Sequence, residues 1–183
     1  MENLDKINEL IKDKKFEEAK RELSGLITED EKDVEALKLL GLCYINLGEY
    51  KEGQGVFETV VKYKDDPTSW FYLANCYDNQ DDYLHAIAAY EEVLRMRSEY
   101  LDAYKNLAIV YVKNKEPQKA VDTVKKAMEF VQNDDYTIYY IAGTACMAMK
   151  NFDEAVTFLE KAIELNPEHS QLYNNLGTCY VTI

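Results

Sequence analysis

The chain has 183 residues and a net charge of −13, with 34 Asp+Glu against 21 Lys+Arg. The excess acid is distributed along it, −6 over 1–66, −4 over 67–135 and −3 over 136–183, so no basic footprint for a phosphate backbone is expected and nucleic acid is excluded as a partner class. At 47% hydrophobic and 12% aromatic it is too apolar for a disordered acidic tail, and 7 Gly and 3 Pro favour helices over a turn-rich β fold.

The N-terminal stretch MENLDKINELIKDKK is charged from its second residue and carries no apolar secretory leader. The longest uncharged run, Tyr136 to Met149, has 14 residues, short of the roughly 20 that a helix needs to cross a bilayer. No membrane span is expected. The cysteines, Cys43, Cys76, Cys146 and Cys179, are spaced by 33, 70 and 33 with no CxxC and no Cys/His pair at zinc spacing. They read as reduced, buried, structural thiols of a cytoplasmic protein.

Apolar residues recur at three- and four-residue intervals in short segments that come in pairs, the period of amphipathic helices. The first pair, 1–33, has Ile7 in its leading helix and Ala19 in its second. The second, 34–66, contains EALKLLGLCYINLGEYKEG; Leu37, Leu40 and Tyr44 form one stripe, and Phe57, Val60 and Val61 the facing one. The third, 67–100, contains TSWFYLANCYDNQDDYLHA, and the fourth, 101–135, contains DAYKNLAIVYVKNKEPQKA. Pro117 falls near the start of a second helix, where its missing N–H costs little. The fifth, 136–169, contains TIYYIAGTACMAMKNFDEA, and 170–183 supplies half of a sixth.

Two independent series keep one period. Gly41, Ala74, Ala108, Gly143 and Gly177 follow at 33, 34, 35 and 34, and Ala19, Gly53, Ala86, Ala120 and Ala155 at 34, 33, 34 and 35. An aromatic keeps step at Tyr44, Tyr77, Tyr111 and Tyr180, with Cys146 as the departure. Small residues at such positions let the two helices of a pair cross closely, and a larger side chain would push them apart. Gly53 has this packing reason; Gly55, in the same helix, does not.

This pattern resembles the tetratricopeptide repeat (TPR), W-x₂-L-G-x₂-Y followed by A-x₃-F and P. The third unit carries it as Trp70, Leu73, Ala74, Tyr77, Ala86 and Tyr90, and the fifth as Tyr139, Ala142, Gly143, Cys146, Ala155, Leu159, Ala162 and Pro167. The resemblance implies an all-α fold. The architecture it implies is an α-solenoid, a right-handed superhelix of five repeats plus a terminal half-repeat, about eleven helices, expected as one array over 1–183.

No catalytic constellation rises above background. His85 and His169 have no Ser or Cys partner at a recognisable spacing and read as surface histidines. The acidic DNQDD at 78–82 lacks the glycine and terminal Glu of a calcium loop and reads as a solvated corner. Neither GxxxxGK[ST] nor GxGxxG occurs. The chain is expected to be non-enzymatic, without metal or cofactor.

In the family, the first helix of each repeat lines a concave groove that takes an extended peptide or a helix. The resemblance places in that groove Lys38, Leu42 and Ile45, then Phe71, Asn75 and Asn79, then Lys105, Ile109 and Val112, then Tyr140, Thr144 and Met147. Lys38 is followed one turn on by Leu42 and Lys105 by Ile109, which argues against the carboxylate clamp of some members; an asparagine ladder is incomplete, with Asn106 and Asn175 but Leu39, Tyr72 and Ile141. An apolar floor with amide and hydroxyl handles is expected to bind an apolar or amphipathic protein segment, with Phe71 and Tyr140 as anchors. Two alternatives stay open: the TPR portion of a larger enzyme such as a transferase, with its catalytic domain beyond residue 183, or a chaperone for secretion substrates. At the C-terminus, Leu172, Leu176 and Tyr180 are expected to form an exposed stripe, so that the chain is either a fragment or self-associates there.

Overall fold

The computed structural model describes residues 2–27, 33–130 and 135–183. The ends assigned from sequence to the first and fourth units, 28–32 and 131–134, lie outside the described residues. Among the described residues there are eleven helices and no strand. They form two compact units. The first, 1–96, holds α1 (Glu2–Lys12), α2 (Phe16–Ile27), α3 (Val34–Leu47), α4 (Tyr50–Tyr63), α5 (Pro67–Asp78) and α6 (Tyr83–Met96). The second, 97–183, holds α7 (Leu101–Lys113), α8 (Pro117–Met128), α9 (Tyr136–Ala148), α10 (Phe152–Leu165) and α11 (Ser170–Thr182). Within each unit consecutive helices pack in chain order as hairpin pairs. None is long and apolar enough to cross a membrane.

The starts of the helices follow from local chemistry. Asp33 caps α3 by accepting from the amides of Glu35 and Ala36, Asp66 caps α5 through Ser69, and Asp135 caps α9 through Thr137. Pro67 and Pro117 occupy the first turns of α5 and α8, where no N–H is required. Between the two helices of each pair the chain reverses through one left-handed residue. These are Lys14, Gly48, Asp81, Lys115 and Lys150, with φ of 59°, 77°, 59°, 62° and 60°, at intervals of 34, 33, 34 and 35. This third periodic series escapes inspection of the sequence because only one of its members is glycine.

The core is a chain of local clusters. Ile7, Ala19, Leu23, Ala36, Leu40 and Cys43 make one; Leu37, Phe57, Val60, Leu73 and Cys76 make the next. Ile7, at the register of the small residues, is itself buried here. At two small positions the closeness of the helices is measurable. A Cβ on Gly41 would lie 2.5 Å from the Phe57 ring, and one on Gly143 2.8 Å from Leu159 Cγ. A Cβ on Gly53 would be tighter than ordinary contact, 3.2 Å from Cys76 Sγ, whereas one on Gly55 would meet nothing within 4 Å. The four cysteines are buried and unpaired. Burial pushes the Cys76 thiol up to about 12 and those of Cys43 and Cys146 to about 11.

At three positions of the aromatic register a side chain contacts the preceding pair. Tyr77 of α5 donates to Glu58 of α4 and Tyr180 of α11 donates to Glu160 of α10, both at 2.8 Å, while the Lys20 ammonium sits 5.7 Å from the Tyr44 ring centroid. One expectation is corrected at the C-terminal end. Leu172 is fully buried, so the exposed side of α11 is formed by Tyr173, Tyr180 and Val181.

The two kinds of glycine predict opposite signs. Phe57 is fully buried and stacked on Tyr72 at 5.4 Å, so its ring has little room to yield. Gly41→Ala should destabilise by about 1–3 kcal/mol, whereas Gly55→Ala should stabilise by roughly 0.5–1 kcal/mol. Urea unfolding of both variants checks the pair of signs. At the helix corners, Lys115→Gly and Lys150→Gly remove a left-handed penalty of about 1–2 kcal/mol, partly offset by glycine's entropy. Each should raise the melting temperature, and the same changes one residue later should not.

Candidate functional site

In the first unit, the leading helices α3 and α5 carry the expected residues. Lys38 reaches forward from α3, its Nζ 2.8 Å from Oδ2 of Asp66, with the two side chains only 18% and 20% exposed. Asp66 is the residue that caps α5, and it also accepts from the Ser69 hydroxyl at 2.8 Å. Burial alone would raise its carboxyl, but the bonds from Lys38 and Ser69 outweigh that and hold it below the usual carboxylate range. Leu42 and Ile45 are half-buried against the cluster around Phe57 and Leu73, so part of their surface belongs to the core. Phe71, half-buried, meets Tyr72 and Tyr90 edge-on, at 5.8 Å in each case. Asn75 accepts from the hydroxyl of the fully buried Tyr90, and its carbonyl takes a 2.8 Å bond from the Asn79 amide.

The second unit repeats the arrangement. Lys105 of α7 lies 2.8 Å from Asp102 and 3.2 Å from Asp135, the cap of α9. Burial works to lower the Lys105 ammonium, and its bonds to the two carboxylates more than reverse this. Burial likewise works to raise Asp135, which bonds from Thr137 and Lys105 hold low. Ile109 is 38% exposed and Val112 half-buried. Thr144 turns its hydroxyl back onto the Tyr140 carbonyl at 2.9 Å, and Met147 is half-buried on the same helix. Tyr140 does not meet a carboxylate; its ring lies 5.8 Å from that of His169, which is also 5.4 Å from Tyr136. His169 is therefore no surface histidine. It is half-buried between two tyrosines, and its Nδ1 is buried without a hydrogen-bond partner among the described residues.

A single rule covers these contacts: the fifth residue of a repeat touches the residue that opens the next leading helix. Lys38 meets Asp66, Lys105 meets Asp135 and Tyr140 meets His169. The aspartates were not singled out from sequence, although Asp33, Asp66 and Asp135 each stand one residue before a unit. The histidine outside this scheme, His85, is exposed, stacks on Tyr77 at 5.1 Å and lies 2.8 Å from Asp82. Within DNQDD, Asp81 accepts from Tyr83. No cluster of His, Cys, Asp and Glu able to hold a metal occurs among the described residues. A feature with no counterpart in the sequence reading is an open polar cleft in the first unit, lined by Glu17, Arg21, Ser24 and Glu52 around Lys20. Lys20 is held there by Glu49 at 2.9 Å and Glu17 at 3.1 Å.

Comparison with known proteins follows the helix pattern. Tetratricopeptide repeat models match residues 10–76 and 158–182, and a model for anaphase-promoting complex, cyclosome, subunit 3 matches 79–162. The chain is 33% identical over 106 residues to the photosystem I assembly protein Ycf3 of Prochlorococcus marinus, covering 52% of this chain and 60% of that protein. It is 26% identical over 98 residues to the BBSome complex member BBS4 of Bos taurus, covering 54% of this chain and 18% of that protein. The chain thus spans less than two thirds of these curated relatives. Among solved structures, MamA superposes with a TM-score of 0.83 at 23% identity over 92% of each chain. YrrB, described as a TPR protein with an unusual peptide-binding site, superposes at 0.81 and 17% identity, over 94% of this chain and 89% of that one. With repeat models matching both ends, repeat-protein structures superposing over nearly the whole length, and small residues recurring at the helix crossings, the chain is a tetratricopeptide repeat protein.

Proposed function

We propose that this protein is a non-enzymatic interaction scaffold that holds an apolar or amphipathic segment of a partner protein on the faces of its leading helices. The observation that carries the reading is the fate of the two lysines. Lys38 and Lys105 are neutralised by the aspartates that open α5 and α9, so neither offers a free cation to a partner's carboxylate. What stays available is Ile109 and the half-buried Leu42, Ile45, Phe71, Val112, Tyr140 and Met147, with Asn79 as an exposed amide. Such a surface gains affinity from burying aromatic and aliphatic anchors, and charge adds little.

Two further facts support the non-enzymatic part. Burial drives the Cys43, Cys76 and Cys146 thiols upward, the opposite of what a cysteine nucleophile requires. Of the relatives, Ycf3 is named as an assembly protein and YrrB as a peptide binder, both roles that a neutral helical face can serve.

A displayed library of random 15-residue peptides tests the proposal. Selected sequences should be apolar or amphipathic, and their affinity should change less than twofold between 50 and 500 mM salt, since few ion pairs form. Phe71→Ala with Tyr140→Ala should weaken them at least tenfold while the helical circular-dichroism signal stays intact. Selection of acidic C-terminal peptides with a steep salt dependence, or full binding by the double variant, would overturn it.

A further inference from the structure

We infer that each leading helix is straddled by a three-residue joint whose charge sense selects the helix pair that stacks next to it, and that the joint at Cys146 carries this sense in reverse. The joint is defined by register. Its first member stands five residues after the small position of one second helix. Its middle member is the aromatic position of the next leading helix, and its last stands eight residues after that. In the sequence these sets read Glu58, Tyr77, His85, then Glu91, Tyr111, Lys119, then Lys125, Cys146, Glu154. Acid, tyrosine and base recur in that order twice. At the third joint the base comes first, the acid last, and the ring is missing. The joint before these, Ser24, Tyr44 and Glu52, is incomplete, and there Lys20 lies 5.7 Å from the Tyr44 ring centroid instead.

The contacts follow the order. Tyr77 donates to Glu58 at 2.8 Å, and its ring stacks on His85 with centroids 5.1 Å apart. Bonds from Gln54 and Tyr77 hold the Glu58 carboxyl below the usual range. Lys119 lies 5.5 Å from the Tyr111 ring centroid, base against ring as at His85. At Cys146 no ring separates the two charges, and they meet directly. Lys125 Nζ lies 3.3 Å from Glu154 Oε1, and Asn151 donates to Oε2 at 2.8 Å. Both charges reach the thiol: burial raises Cys146, the Glu154 carboxylate adds to the rise and the Lys125 ammonium opposes it. Removing the ring lets the two charges touch, and at that distance opposite signs attract where like signs would repel.

The value of such a joint lies in selection. Lys125 and Glu154 are 54% and 36% exposed, and ion pairs this exposed contribute little stability. Wrong neighbours are nevertheless penalised. A pair presenting Cys146 and Glu154, stacked after a second helix that offers Glu58 or Glu91, would set two carboxylates across a cysteine. Repulsion built in against the wrong neighbour is one source of specificity. In an array whose similar pairs touch only their neighbours, it fixes the order of stacking.

Hydrogen exchange of the full chain, read by mass spectrometry in 50 mM salt, tests this. Lys125→Glu sets like charges across the joint and should speed exchange of the α9 and α10 amides about threefold or more, with α3 to α6 unchanged. Glu154→Lys should do the same. Adding Lys125→Glu to Glu154→Lys restores opposite signs, so in that background the same change should slow exchange. Lys126→Glu, an equal change of charge one residue outside the joint, should have no effect. If a reversed variant fails to fold, Lys125→Met and Glu154→Gln, alone and together, make the same comparison, with smaller losses that do not add. Losses that add in the double variants, wild-type exchange in every variant, or an equal loss on Lys126→Glu would overturn the inference.

Discussion

Everything in this molecule depends on how closely the two helices of a pair can cross. The first helix offers a notch where the side chain is hydrogen or methyl, and the second fills it with Phe57 or Leu159. Burying one such knob contributes about 1.5–3 kcal/mol, but only if the notch stays empty of its own side chain. The crossing fixes the separation of each pair, and the separation fixes which residues of the leading helix remain to face outward. Gly41 and Gly143 therefore constrain the outward face of the leading helices without belonging to it.

The helix openings add a second constraint, which decides the chemistry of that surface. An aspartate at the opening satisfies backbone donors that would otherwise be orphaned, and its second oxygen is left to take a lysine from the preceding leading helix. Lys38 is only 18% exposed and Lys105 22%. Ion pairs buried to this degree are poor sources of net stability, yet breaking one leaves an unpaired charge. They fix the stagger of one pair on the next, and they spend the cations that other members of the family turn toward ligands. Where the opening residue is His169 the same register position becomes Tyr140, and an aromatic contact replaces the ionic one.

Much of the fold was legible in the sequence because it is carried by repetition. A glycine or alanine recurring every 33 to 35 residues is hard to explain except by a repeated helix crossing, and the eleven helices follow from it. The left-handed corners were not legible. Lys14, Asp81, Lys115 and Lys150 look like ordinary polar turn residues, and only their common φ reveals a shared constraint. The expected face was legible as a list of positions but not as an inventory of free groups. Sequence places Lys38 on the leading helix and cannot show that a residue 28 positions on has already claimed it. His169 was misjudged for a similar reason: its neighbours Tyr136 and Tyr140 are about thirty residues away in the chain.

The distribution of charge ties these threads together. A net −13 could have signalled a basic ligand, but the lysines that would balance the leading helices are already paired there, and two helices carry no charge at all. Acid concentrates instead on second helices and corners, as at Glu17, Glu18, Glu91, Asp153 and Glu164. Like charges spread over that exterior discourage nonspecific association. They leave neutral faces as the places where contact costs least. On the proposed reading acidity acts by exclusion, and partner contact falls to the surfaces from which charge is absent or on which it is internally cancelled.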